Sequence, residues 1–252
     1  MLRYKHIPAV VVILVFAFMV GMVGCAPPVS DGGCETLKNE LDEANAELES
    51  LKTELDKIRI EVGTVKTASL EGLLRQRRSI RDYTDAPLTQ DEVIKLLWAG
   101  QGITNTRGFR TAPSAGALYP LEIYLVAGNV DNLVPGIYKY NPAKNALALV
   151  KEGDVRIGLA RASLGQGSVA EGAIDIVIAA VYERTKIKYG DRGERYVHIE
   201  VGHAAQNICL EATALGLGLV TIGAFNDSAV AEIIGMSPDE APLYVIPVGR
   251  AK

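Results

Sequence analysis

The chain has 252 residues, 48% of them hydrophobic and 22% charged, and its 26 basic and 30 acidic side chains leave a net charge of −4. That length can bury one substantial core with residues left over for appendages. Nothing in the charge balance points to nucleic acid, and three His with no ligand-spaced Cys cluster predict no metal site.

The first 25 residues read as a targeting segment. Arg3 and Lys5 form a short basic start, residues 7–23 are apolar, and Met22-Val23-Gly24-Cys25 ends the run with small residues before a cysteine. This pattern resembles a bacterial-type lipoprotein signal over residues 1–24. It implies a lipidated Cys25 and a protein held at the cell membrane, facing outside the cytoplasm. The alternative is an uncleaved anchor, since about 17 apolar residues are the minimum that spans a bilayer. Residues 25–35 have the composition of a flexible tether. Over residues 36–66, Leu37, Leu41, Ala44, Leu48, Leu51, Leu55, Ile58, Val62 and Val65 alternate spacings of four and three among mostly polar neighbours. That regularity predicts a coiled coil, with Thr36 as N-cap, reaching about 45 Å for about 30 helical residues. A single helix packed on its own domain is the alternative; the narrow apolar seam favours the coiled coil.

A globular domain is expected over residues 68–252. Residues 70–77 read as a short helix, and Thr89-Gln90-Asp91-Glu92 is a capping box that starts a helix ending at Gly100, with Val93, Leu96 and Leu97 on one face. Residues 121–126 read as a strand, 136–140 and 146–150 as a hairpin, and 176–181 as a central strand buried on both faces. A polar loop, a long helix over 195–215, a strand at 219–222, a short helix at 228–234 and a last strand at 243–248 follow. Interleaving of this kind predicts an α+β fold, a mixed sheet flanked by helices. The long helix is apolar around most of its circumference. His203, Gln206 and Asn207 are its polar exceptions, expected mostly to hydrogen-bond within the core, with contact of one of them to a bound ligand as the alternative, and Gly216 ends it as a cap. Cys34 falls in the tether and Cys209 on this helix, so no disulfide between them is suggested.

Two stretches carry the chemistry. Arg77-Arg78-Ser79-Ile80-Arg81 puts three guanidinium groups and a hydroxyl within five residues. Cations that close repel unless an anion lies between them, and planar Arg forks match a phosphate, each charge-assisted bond contributing about 1.5–3 kcal/mol. A solvated basic turn, partly neutralised by Asp82, is the plainer reading. Pro113-Ser114-Ala115-Gly116-Ala117-Leu118-Tyr119-Pro120 is a loop of small residues between two prolines, immediately before a strand. It leaves main-chain groups free and lets something flat approach the backbone, although ordinary loop-to-strand junctions look similar.

Together these motifs resemble the nitroreductase-like flavoprotein family over about residues 68–252, and the small-residue loop is most similar to its azoline-oxidising (SagB-type) branch. The resemblance implies FMN, with Arg77, Arg78, Ser79 and Arg81 at the phosphate and ribityl chain, and Pro113, Ser114, Ala115, Gly116 and Leu118 in the cofactor loop. Gly223 and Ala224 match a loop whose backbone passes the isoalloxazine, and Arg250 a basic residue that completes the phosphate site; a solvated terminal charge is the alternative for Arg250. Lys188 and Tyr189 match a catalytic pair that supplies a proton donor or base near the flavin face, though exposed Lys-Tyr pairs are common. The family further implies a homodimer with the long helix at its interface and an FMN in each of two clefts lined by both chains. Many relatives carry Asn where this chain has Ala117, so their quinone or nitroaromatic activity does not carry over.

The expected function is therefore an FMN-dependent oxidoreductase passing a hydride through flavin N5 between an unidentified donor and a small organic substrate. Outside the cytoplasm, where soluble NAD(P)H is scarce, a quinone or a redox protein is a candidate donor. The competing readings are a membrane-anchored coiled-coil scaffold or binding module that has lost the flavin, and a flavin storage or breakdown protein. The joint occurrence of Arg77, Ser79, Arg81 and the small-residue loop favours flavin binding.

Overall fold

The computed structural model describes residues 39–54 and 69–252, and the chain divides into two units, Met1–Lys66 and Thr67–Lys252. In the first, residues 39–54 are helical, with Leu41, Leu48 and Leu51 of the heptad seam exposed and Lys52 Nζ 2.8 Å from Glu49 Oε1 across one turn. The signal segment, Cys25, the tether, Thr36 and the seam residues Leu37, Leu55, Ile58, Val62 and Val65 lie outside the described residues. Among the described residues no helix is long and apolar enough to cross a membrane.

The second unit opens with α1 (Leu70–Gln76), whose first turn is capped by the Ser69 hydroxyl accepting from Gly72 N–H at 3.1 Å. Then come α2 (Gln90–Gln101), strands β1 (Leu121–Ala127), β2 (Gly136–Asn141) and β3 (Ala146–Glu152), helices α3 (Arg156–Ala162) and α4 (Gly167–Glu171), and β4 (Ile174–Ala180). Helices α5 (Glu183–Tyr189) and α6 (Arg192–Ala214), the short β5 (Gly218–Leu219), α7 (Asp227–Ile234) and β6 (Ala241–Gly249) complete the unit. The capping box at Thr89 forms in both directions: the Thr89 hydroxyl accepts from Glu92 N–H at 3.2 Å and Glu92 Oε2 accepts from Thr89 N–H at 2.8 Å. Gly216, at φ 70°, ends α6 with Leu217 N–H donating to Ala212 O and Gly216 N–H to Thr213 O, the paired bonds that close a helix through a left-handed residue.

The strands lie in the order β3-β2-β1-β4-β6-β5. The sheet departs from the mixed one expected, because every pairing between named strands is antiparallel. The helical connections do bring strands round in the same direction, but not as neighbours: β6 lies between β4 and β5, and β4 lies between β1 and β6. Among the described residues, parallel pairing is confined to the isolated bridges Ser79–Leu219 and Leu88–Val130.

β4 is buried along its whole length, as its apolar run predicted. Ile174, Ile176, Ile178 and Ala180 pack in one core with Val93, Leu96 and Leu97 of α2 and Val197, Val201, Ala204 and Ile208 of α6. Val177 and Ala179 face a second core built with Leu159 of α3, Val169 of α4, and Val230 and Ile234 of α7. The sheet is thus covered on both faces, and α6, with α2 across it, lies along the first. Three helices escaped the sequence reading: α3 and α4 in a stretch given no element, and α5 where a polar loop was expected. Only Thr185 of α5 is buried, so its sequence shows no apolar stripe from which to read a helix.

Thr89→Ala should destabilise this unit by about 1 kcal/mol through loss of the cap on α2, read as a lower denaturation midpoint at unchanged m-value.

Candidate active site

The small-residue loop folds into a tight turn. Ala115–Ala117 forms one turn of 3₁₀ helix, with Ala117 N–H donating to Ser114 O and Leu118 N–H to Ala115 O. Gly116, Ala117 and Tyr119 all take left-handed φ values, 64°, 54° and 47°. The Ser114 hydroxyl oxygen accepts Tyr119 N–H at 2.9 Å and so ties the two ends of the turn together. Tyr119 is held from three further directions: its oxygen accepts Arg110 N–H, its ring lies 4.6 Å beneath the Arg110 guanidinium, and its carbonyl accepts from Arg184 of α5 at 3.3 Å. Pro113 is exposed, while Ser114, Ala115 and Leu118 are half-buried.

Lys188 and Tyr189 stand against this loop. A Cβ built on Gly116 would lie 2.9 Å from Tyr189 Oη and 3.1 Å from Lys188 Nζ, so the missing side chain is what lets the pair approach the turn. The pair occupies the last turn of α5, not a loop, and the edge of the Tyr196 ring of α6 packs at 5.1 Å against Tyr189.

The basic segment builds a second place. Ile80 N–H donates to Leu219 O at 2.9 Å, which lays the segment beside β5 and turns Arg77 and Ser79 into a cavity of about 270 Å³. Gly202, Ala205, Gln206 and Cys209 of α6, with Leu219, Thr221 and Tyr244, line the rest. Gly223 lies beside this wall, its Cβ position 3.6 Å from the Tyr244 ring, and Ala224 O accepts from Gln166 at 3.1 Å. The other basic residues are placed elsewhere in the single chain. Arg78 donates to Arg75 O and Arg77 O at the end of α1, and Arg81 is exposed. Arg250 donates to both oxygens of Glu92 at 3.0 and 3.1 Å and to Pro87 O.

The polar residues of α6 correct the sequence reading. His203 and Gln206 are exposed, with Gln206 on the cavity wall, and only Asn207 makes the expected interior bond, to Thr111 O at 3.2 Å. The buried polar residue is instead Glu200, 2% exposed, which sequence reasoning passed over. The spacing did carry a signal, since Glu200 lies three residues after Val197 and four before Ala204, on the apolar stripe. Burial pushes its carboxyl up to about 7, against lowering by the Ser114 hydroxyl and the Arg110 guanidinium. Burial also lowers the Arg110 pKa, and its Nη1 donates to Gln101 Oε1 at 2.6 Å.

The chain is similar to known proteins. The profile of the Nitroreductase family fits residues 74–250. A nitroreductase-type protein of Methanocaldococcus jannaschii is 48% identical over 186 residues, 74% of this chain and 93% of that protein.

The chain belongs to the nitroreductase family.

Nitroreductase-family proteins are generally flavin oxidoreductases and commonly dimers. Another relative, the microcin B17-processing protein McbC of Escherichia coli, is 33% identical over 143 residues, 54% of this chain, which spans about half (52%) of that protein. Among solved structures, the E. coli microcin synthetase McbBCD complex with truncated pro-MccB17 bound matches 70% of each chain at 28% identity and a TM-score of 0.63.

Glu200 makes stability of this nitroreductase-family fold pH-dependent. Below the ordinary value of 4.5 the carboxyl is neutral folded and unfolded; between 4.5 and about 7 the folded chain keeps a proton that the unfolded chain releases, so stability falls as pH rises. Glu200→Gln should therefore gain on the wild type by about 3 kcal/mol between about pH 4.5 and about pH 8, measured by denaturant titration at each pH.

Proposed function

We propose that the chain is a membrane-tethered, FMN-dependent oxidoreductase of the azoline-dehydrogenase type, working as a homodimer on a small organic substrate. The observation that carries the reading is the meeting of Lys188 Nζ and Tyr189 Oη at the side-chain-free position of Gly116. The residues fit the cofactor. Arg77 offers a guanidinium fork and Ser79 a hydroxyl in a cavity large enough for a phosphate group, and Gly116 leaves open a space that a Cβ would fill. When bound, FMN supplies a two-electron acceptor and donor at ring atom N5.

The chain's own residues divide the remaining work. Arg77 and Ser79 bind the phosphate, with Gln206 and Thr221 on the same wall. The loop backbone orients the ring, its polar groups fixed by the bond between Ser114 and Tyr119. Tyr189 Oη and Lys188 Nζ, which meet at Gly116, hold or accept the proton that a substrate gives up as two electrons leave it. The E. coli relative McbC, a processing protein for microcin B17, supports the azoline type.

The dimer reading rests on α6. Ile199, Gly202, His203 and Gln206 form an exposed stripe at helical spacing beside the basic cavity, the surface a second chain would cover. In such a dimer, as the family resemblance implies, each of two clefts is lined by both chains. Arg250 and Arg81 would then complete the phosphate site by leaving their single-chain positions. The membrane attachment rests on the signal over residues 1–24 and the tether over residues 25–35, where lipidation at Cys25 would hold the flavin unit to the membrane through acyl chains, each buried methylene contributing about 0.8 kcal/mol.

The purified chain should be yellow. Arg77→Ala combined with Arg81→Ala should weaken FMN binding by about 3–6 kcal/mol if the two act independently, and an unaltered FMN titration would reject the phosphate assignment. Cys25→Ser should leave a heavier, unprocessed precursor. A wild-type mass spectrum with an intact residue 1–24 segment and no acyl group would replace the lipid anchor with an uncleaved one.

A further inference from the structure

Glu200 takes no part in the chemistry above, yet it is the confined carboxyl beneath the cofactor loop. It is 2% exposed on α6, and its Oε1 has no hydrogen-bond partner. The Ser114 hydroxyl lies near enough to its carboxyl to lower the carboxyl's pKa, and the same hydroxyl oxygen accepts Tyr119 N–H at 2.9 Å. The hydroxyl beside the carboxyl thus belongs to the residue that starts the turn and is bonded to the residue that closes it. The charged group facing Glu200 is Arg110, already bonded to Gln101 at the end of α2 and stacked on Tyr119. Around Arg110 lie Glu122 of β1 and Arg184 of α5, and from α5 Lys188 and Tyr189 meet the loop at Gly116.

Resting on the flavin reading, we propose that Glu200 is a proton-coupled positioning residue, which through Ser114 sets the charge and the backbone geometry under the flavin ring. Its protonation forms one carboxyl O–H bond with a proton from bulk water and moves no electrons. A carboxylate confined in a low-dielectric interior disfavours added negative charge nearby, so the ionised form stabilises the oxidised cofactor over the reduced one. The neutral acid removes that opposition. Its burial places the change of state near neutrality, inside the range in which such a protein works.

The test uses the full chain as wild type, Glu200→Gln and Ser114→Ala. In infrared spectra of the FMN-free protein between about pH 5 and about pH 9, a protonated-carboxyl C=O band should fade with a midpoint near neutrality. That band should be absent in Glu200→Gln, and its midpoint should rise in Ser114→Ala, where the hydroxyl that favours the ionised form is gone. With FMN bound, the reduction potential of Glu200→Gln should lie above the wild type at about pH 8.5 and equal it at about pH 5.5. No titrating carboxyl band in the wild type, or a potential difference that is the same at both pH values, overturns the inference while leaving FMN binding intact. Failure of the wild-type chain to bind FMN at all overturns the flavin reading and this inference together. Should Glu200→Gln not fold, the wild-type band and its shift in Ser114→Ala decide alone.

Discussion

Burial of one face of α6 against the sheet fixes where everything in the candidate site falls. Val197, Val201, Ala204, Ala205, Ile208 and Ala212 face the core, so at 3.6 residues per turn the intervening positions are committed too. Glu200 falls beside the inner stripe near the small-residue loop, while Gly202, Gln206 and Cys209 reach the basic cavity. Close packing makes the placement rigid. A Cβ on Gly100 of α2 would come to 3.0 Å from side-chain methyls of both Ile123 of β1 and Ile208 of α6, so an added methyl would crowd the place where these elements meet. A helix held this tightly cannot rotate to expose one side of the site without opening the core.

How much of this could be read from the sequence follows from what each signal measures. The Thr89 capping box was legible because its two bonds are local and need no tertiary partner. The central strand was legible because burial on both faces leaves an unbroken apolar run, but its start was not: β4 begins at Ile174, and Asp175 broke the pattern. Asp175 is fully buried, its oxygens lack hydrogen-bond partners, and burial holds its pKa well above the usual carboxylate range. Glu200 was missed by the same assumption, that a carboxylate belongs outside. The antiparallel sheet was hidden for another reason. Connection lengths show which strands share a direction, whereas insertion of β6 between β4 and β5 is a choice of neighbours that no local spacing records.

In the site itself, the basic segment and the small-residue loop were found by residue type, but their relation was not. No local spacing distinguishes Arg78, which turns back onto carbonyls at the end of α1, from Arg77, which faces the cavity; that follows from the pairing of Ile80 with Leu219, which alternates the side chains of an extended segment. Nor could it place Arg250 on Glu92, because the capping carboxylate becomes a salt-bridge partner only when the end of β6 arrives beside α2.

The loop is strained, and the strain explains the density of bonds around it. Ala117 and Tyr119 in the left-handed region each cost about 1–2 kcal/mol, a conformation that persists only when the surroundings over-determine it. Asn tolerates that region better than Ala, so at Ala117 the burden falls on the neighbours. They meet it through Ser114 on Tyr119 N–H, Arg110 over the Tyr119 ring, and Arg184 on Tyr119 O. Arg184 also pairs with Glu122 at the start of β1, which locks α5 to the sheet as well as to the loop. Lys188 lies four residues after Arg184, one turn further along the same helix face. The contact that holds the strained turn therefore also sets the register of the Lys-Tyr pair against Gly116, so a shift of either element would carry the other with it.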